Sequence, residues 1–208
     1  MRPTVDGIKV VVPKGVGLQK VKDSVEQHRK ELKDMKAKAD SQRPTIDANF
    51  CIDTELLKLH FTAGNRDGFY VNRREGFCEI IYPASKDFSE KQMWLEDVIT
   101  NELRIQAKAI LSKRLYKLAN ENGFRFSSCK LQTSRTRWGS CSERNSINLS
   151  VFLMKLPIHL IDYVLLHELC HTRHHDHSPE FWALMDSVTD KKAHALRHEL
   201  HGYKTDIY

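Results

Sequence analysis

The sequence predicts an α+β fold: a small N-terminal β-rich subdomain with an amphipathic helix at residues 1–88, then a region at 89–208 whose last helices carry the candidate active site. Three observations lead there. Short alternating strands cluster at residues 46–83. A helical pattern of about thirty residues follows. A second group of strands at 130–150 then runs into an apolar helix ending in His167-Glu168-Leu169-Cys170-His171. A chain of 208 residues holds one domain, or one with a small appended subdomain, and can bury a sizeable core.

In chain order, Ile8-Lys9-Val10-Val11-Val12 reads as a strand ended by Pro13 and Gly15. Leu18, Val21, Val25, His28, Leu32, Met35 and Ala39 then alternate by three and four, which predicts one amphipathic helix. Packing on the domain is the preferred role for that stripe, because only about three heptads fit a coiled coil. Asp40 to Thr45, with Pro44, reads as a linker. Leu57-Lys58-Leu59-His60-Phe61, Phe69-Tyr70-Val71 and Cys78-Glu79-Ile80-Ile81-Tyr82 read as strands, with a turn at Asn65-Arg66-Asp67-Gly68. Ser89-Glu90-Lys91-Gln92 has the pattern of a capping box. The helical pattern beyond it ends at Asn122-Gly123 and makes one long helix or two joined by a bend. Lys130-Leu131-Gln132-Thr133 and Ile147-Asn148-Leu149-Ser150 read as strands of an antiparallel sheet whose edge could pair with an extended peptide. Pro157 opens the apolar helix, and 178–188 and 191–201 close the chain as short helices.

The string at 167–171 carries the most chemistry. Two histidines four apart on a helix share a face and can converge on one ion. The glutamate between them leans to the same side and can take a proton from metal-bound water. Chance produces H-E-x-x-H about 0.04 times in a chain of this histidine content. The residues before it, Leu160, Ile161, Tyr163, Val164, Leu165 and Leu166, make a helix apolar nearly all round, hence buried. Buried histidines and a buried glutamate need partners, and a metal supplies one.

The third ligand comes from the turn that follows. On a continued helix His175 would lie about 12 Å along the axis from His167, too far for a bond of about 2.0–2.1 Å. Pro179 disfavours helix at Ser178, so Ser178-Pro179-Glu180 reads as the start of a new helix and leaves His177 at the junction, free to point back. The spacing is that of metzincins, with His174 where those have glycine. Glu199 and Glu180 are the rival third ligands; His177 is preferred because zinc readily takes three histidines plus water. His174 and His175 are read as solvated or substrate-facing.

A net charge of +6 and a pI near 9.0 suit anionic partners without demanding them. No run of eighteen apolar residues and no apolar signal core is present. Cys51, Cys78, Cys129, Cys141 and Cys170 form no CxxC pair, and an odd count fits a reducing cytosol. The expected location is cytoplasmic.

Thr136-Arg137-Trp138-Gly139-Ser140-Cys141-Ser142, Ile147-Asn148-Leu149, Ile161-Asp162-Tyr163-Val164, the 167–171 string and His177-Ser178-Pro179-Glu180-Phe181-Trp182 together resemble the YgjP-like metallopeptidase family, related to SprT-like zincins. The specific part of the resemblance covers about residues 130–185, and a looser match extends to Val10–Val16 and the long middle helix. It implies a zincin-like α+β fold, Zn2+ held by His167, His171 and His177, and Glu168 as general base. It leaves the substrate open.

The leading expectation is a zinc-dependent hydrolase of the HExxH type acting on a peptide or protein, with Arg137, His174, His175 and Tyr203 as candidate donors to the charge developing on oxygen. The alternative is a phosphohydrolase acting on a nucleotide, with Lys130, Arg135, Arg137 and Arg144 holding phosphates. A nucleic-acid-associated module is a third reading, permitted by Trp94, Trp138, Trp182 and the basic excess, although no nucleic-acid motif appears and tryptophans at helical spacing belong in the core. Cys141 reads as a small packed residue rather than a nucleophile.

Overall fold

The apolar run at 160–166 decides where the rest of the chain packs. In the computed structural model, which describes residues 2–4, 7–12, 15–41, 45–65, 67–84, 88, 91–205 and 207, it lies in a helix, α4 (Ile158–Cys170), with no solvent exposure at Leu160, Ile161, Leu165 and Leu169. Each such side chain contributes about 1.5–3 kcal/mol on burial, enough together to hold the helix in place while it buries the carboxylate of Glu168.

Two compact units divide the chain, Met1–Thr45 and Ile46–Tyr208. In the first, β1 (Arg2–Thr4) and β2 (Gly7–Lys9) pair antiparallel, so the expected strand at 8–12 is shorter and begins earlier. The predicted single helix is two, α1 (Leu18–Gln27) and α2 (Arg29–Ser41), broken at His28. There the imidazole Nδ1 donates to the Ser24 carbonyl at 2.9 Å, a side-chain capture of a backbone acceptor at a helix end. Leu32 is buried, whereas Leu18 is exposed. Pro13 and Pro44, read as breakers, lie outside the described residues.

Among the described residues the second unit holds two sheets and four α-helices. One sheet has the order β3 (Ile52–Asp53), β4 (Lys58–Gly64), β6 (Phe77–Pro83), β5 (Tyr70–Arg74). β4 and β6 run parallel, with β5 antiparallel on the far side. The β5–β6 hairpin turns at Gly76, whose φ of 76° suits glycine, and Gln106 fastens it by accepting from the Gly76 N–H and donating to the Arg74 carbonyl, each at 2.8 Å. Gln106 belongs to α3 (Gln92–Glu121), one continuous thirty-residue helix that ends at Asn122 and Gly123 (φ 67°), as the sequence indicates. Ser89 and Glu90 of the expected capping box lie outside the described residues, while the Gln92 amide bonds to both backbone groups of Ile46.

The second sheet is mixed rather than antiparallel. β9 (Ser146–Ser150) is central, parallel to β7 (Ser128–Gln132) and antiparallel to the edge strand β8 (Gly139–Cys141). Parallel neighbours need a crossover, and here the loop after β7 and β8 itself supply it. A 3₁₀ turn (Val151–Lys155) leads into α4; α5 (Pro179–Val188) and α6 (Ala193–Leu200) follow.

One hydrophobic cluster joins Leu57, Leu59 and Ile80 of the first sheet, Leu103 and Leu111 of α3, Leu149 of β9 and Leu165 of α4. The strands of 46–83 therefore share a core with the C-terminal helices. The break in compact structure falls at 45/46, at the end of the expected linker. Mixed α and β structure with a β-rich N-terminal part and C-terminal helices carrying the site fits the zincin-like α+β expectation. Arg114 of α3 and Asp162 of α4 form a two-pronged ion pair, with one contact at 2.6 Å, that fixes the helices against each other.

Candidate active site

His167 sits in the last turn of α4 and His171 at its C-cap. The chain then turns away, and Ser178 caps α5, its hydroxyl accepting from the Phe181 N–H, with Pro179 at the first helical position. His177 thus stands just before a new helix. The turn needs no left-handed residue at His174: among the described residues the non-glycine positions with positive φ are Asn145, Asp190 and Lys191.

The three imidazoles converge. His167 Nε2 lies 3.2 Å from His171 Nε2 and 3.2 Å from His177 Nε2, and one ligand atom from each ring lies within 4.8 Å of the others. Burial and the neighbouring rings push the His167 pKa down to about 3, and burial lowers that of His171, so both are held in the neutral form that binds metals. Nitrogens on a tetrahedral zinc, each at about 2.0–2.1 Å, lie about 3.3–3.4 Å apart. The two separations from His167 come close to that edge, and the donor set fits a divalent cation. Among the described residues no other group of histidine, cysteine or carboxylate side chains converges in this way.

What orients the rings is local. His171 Nδ1 donates to the His174 carbonyl at 2.9 Å, turning Nε2 inward. Phe181, fully buried on α5, packs against all three rings with centroids 4.5–5.0 Å away. Trp182 lies on His177 (6.0 Å, 29° between planes), stacks on His194 (4.6 Å) and carries the Arg197 guanidinium at 5.2 Å. Trp182 is half-buried and lines the cleft, and Trp94 is 42% exposed, so neither is the core residue that helical spacing suggested.

Glu168 is buried, and its Oε2 has no hydrogen-bond partner among the described residues. Burial pushes its pKa up to about 8, against a smaller opposing pull from Arg137. Gly139 of β8 lies against it: a Cβ at that position would stand 2.6 Å from Glu168 Oε1. The edge strand can come this close to the HExxH string because residue 139 has no side chain.

A cavity of about 660 Å³ opens over these groups, lined by Trp138 and Gly139 on one side, Tyr163, His167 and Glu168 of α4 below, and Arg197, Tyr203 and Lys204 opposite. Arg137 also lines it; His174 and His175 do not, and His174 contributes through its carbonyl. The rival ligands are elsewhere: Glu199 pairs with His159 at 2.7 Å, and Glu180 is exposed on α5. Of the four cations suggested for phosphate binding, Arg135 and Arg137 reach the cleft and Lys130 and Arg144 do not. Arg135 is already bonded to Glu96 at 3.1 Å. Burial and the Glu168 carboxylate push the Cys141 thiol up to about 11, which keeps it from serving as a thiolate. Sequence reasoning missed Gly139, Phe181 and the Trp182–His194–Arg197 stack.

Three convergent imidazoles beside an unpaired buried carboxylate, at the foot of an open cleft, define a metal-dependent hydrolase of the HExxH type. No curated protein and no solved structure matches the chain. A family model does, over residues 1–203, and the chain belongs to the YgjP-like metallopeptidase domain family.

Proposed function

We propose that the cation is zinc, that His167, His171 and His177 hold it, that Glu168 is the general base, and that the bond cleaved is a peptide bond. The observation that carries the reading is the meeting of the three Nε2 atoms next to the unpartnered Glu168 carboxylate. When bound, such a cation supplies a Lewis acid that acidifies water and polarises a carbonyl. Glu168 takes the proton from the attacking water and returns it to the departing amine nitrogen. Gly139 lets β8 lie along the cleft, where an extended peptide can pair with its free edge. Of the candidate donors, Arg137 and Tyr203 line the cleft and can meet charge developing on the substrate.

The residues of the site fall within 89–208, which we take as the catalytic region, its core completed by the sheet at 46–83. Among the described residues no helix is long and apolar enough to cross a membrane, and all five cysteines are free. We place the protein in the cytoplasm, where thiols stay reduced.

Casein and a set of nucleoside triphosphates, assayed side by side with wild type and Glu168→Gln, test the reaction. Peptide cleavage by the wild type, lost in Glu168→Gln, is expected. Release of phosphate or pyrophosphate without peptide cleavage would overturn the reading.

A further inference from the structure

Four Lys and Arg side chains line the cleft. Arg135 is paired with Glu96, whereas no carboxylate among the described residues lies within 4.0 Å of Arg137, Arg197 or Lys204. The one carboxylate in the lining is Glu168.

These cations come from separate parts of the chain: the loop before β8, α6, and the segment after α6. Bringing like charges from three places to one cavity costs repulsion, and a bound cation at the histidines adds to it. That arrangement lowers its energy when an anion enters. Two of the three positions are also held in place. Arg197 lies over the ring of Trp182, 5.2 Å from its centroid, and Trp182 is itself stacked on His194, which reduces the side-chain entropy lost when the guanidinium engages a ligand. Lys204 lies between α6 and Ile207, and Ile207 is buried in the core and anchors the segment. A planar guanidinium matches a carboxylate or a phosphate with two parallel hydrogen bonds.

We propose that the cleft selects its substrate by negative charge, and that Arg137, Arg197 and Lys204 hold an anionic group, carboxylate or phosphate, carried by the molecule that is cleaved. The inference rests on the hydrolase reading above and names the substrate class of that site.

The test is binding to zinc-loaded Glu168→Gln protein, in which turnover is blocked, followed by tryptophan fluorescence. The probes are blocked pentapeptides with Glu, phosphoserine, Gln or Lys placed at each position in turn. At one or more positions the Glu or phosphoserine peptide binds about tenfold more tightly than the Gln peptide, and the Lys peptide is weakest. That advantage shrinks as NaCl rises from about 50 to about 500 mM. Combining Arg137→Gln, Arg197→Gln and Lys204→Gln in the same background removes it while the zinc content stays unchanged. The relative affinity of the Glu and phosphoserine peptides tells which anion is preferred. Equal binding of Glu, phosphoserine, Gln and Lys peptides at every position, or an advantage that survives the triple substitution, overturns the proposal. Wild-type cleavage separates the two readings. Cleavage of peptides without charge preference sinks the anion cleft and leaves the peptidase. Charge-selective binding with no peptide cleaved keeps the cleft and sinks the peptidase.

Discussion

Glu168 has space for its carboxylate because residue 139 is glycine. In Gly139→Ala the new methyl carbon would stand 2.6 Å from Oε1, so the carboxylate or the strand must move. Displacement of a catalytic group by about 1 Å costs on the order of a hundredfold in rate. The expected outcome is such a loss in kcat with metal content unchanged, read by steady-state kinetics and metal analysis. Phe181→Ala belongs to the same scale. Phe181 packs on all three imidazoles, so its loss leaves them less ordered as well as leaving a void. Denaturant melts should show about 3–5 kcal/mol of destabilisation, and competition with a chelator should show weaker metal binding. These residues differ in how much a sequence discloses about them. His167, Glu168 and His171 are legible because their relation is local, set by helical spacing alone. Gly139 is not, since the reason for it stands 29 positions away and exists only once β8 lies on α4.

At the scale of elements, the proposed metal site depends on a helix start. Ser178 caps α5 through its hydroxyl, and the cap fixes where His177 leaves the turn. Ser178→Ala should cost about 1 kcal/mol of stability. It should also weaken metal binding more than Ser187→Ala, a substitution nearer the other end of the same helix; thermal melts and chelator competition check both. Pro179 made this junction visible in the sequence, because proline marks a helix start by its own geometry. The break between α1 and α2 was invisible by contrast: no glycine or proline stands there, and His28 supplies the interruption by bonding to Ser24. Strand order was equally hidden. β4 pairs with β6 and β7 with β9 across intervening chain, and the alternation that reveals a strand says nothing about which neighbour it takes.

Across the whole molecule, the site is built into the core of the unit Ile46–Tyr208, so metal and fold are linked. Buried Glu168 and the facing imidazoles are unfavourable without a cation between them, and a ligand that binds only the folded state stabilises it. Removing metal with a chelator should lower the melting temperature, and added zinc should restore it; calorimetry checks this, with His177→Ala protein, whose altered ligand is exposed, showing little response to either. The composition pointed to a basic protein with anionic partners in general. Where that charge matters could not be read from it, because the cations that line the cleft are scattered from residue 135 to residue 204. The central claim is that His167, His171 and His177 hold one metal ion beside Glu168. Metal analysis of the purified wild type, His171→Ala, His177→Ala and Glu168→Gln proteins tests it most directly, with circular dichroism to confirm that each is folded. The account predicts about one zinc per chain in the wild type and in inactive Glu168→Gln, and loss of it in both histidine variants; full occupancy in a folded His171→Ala or His177→Ala protein would contradict it.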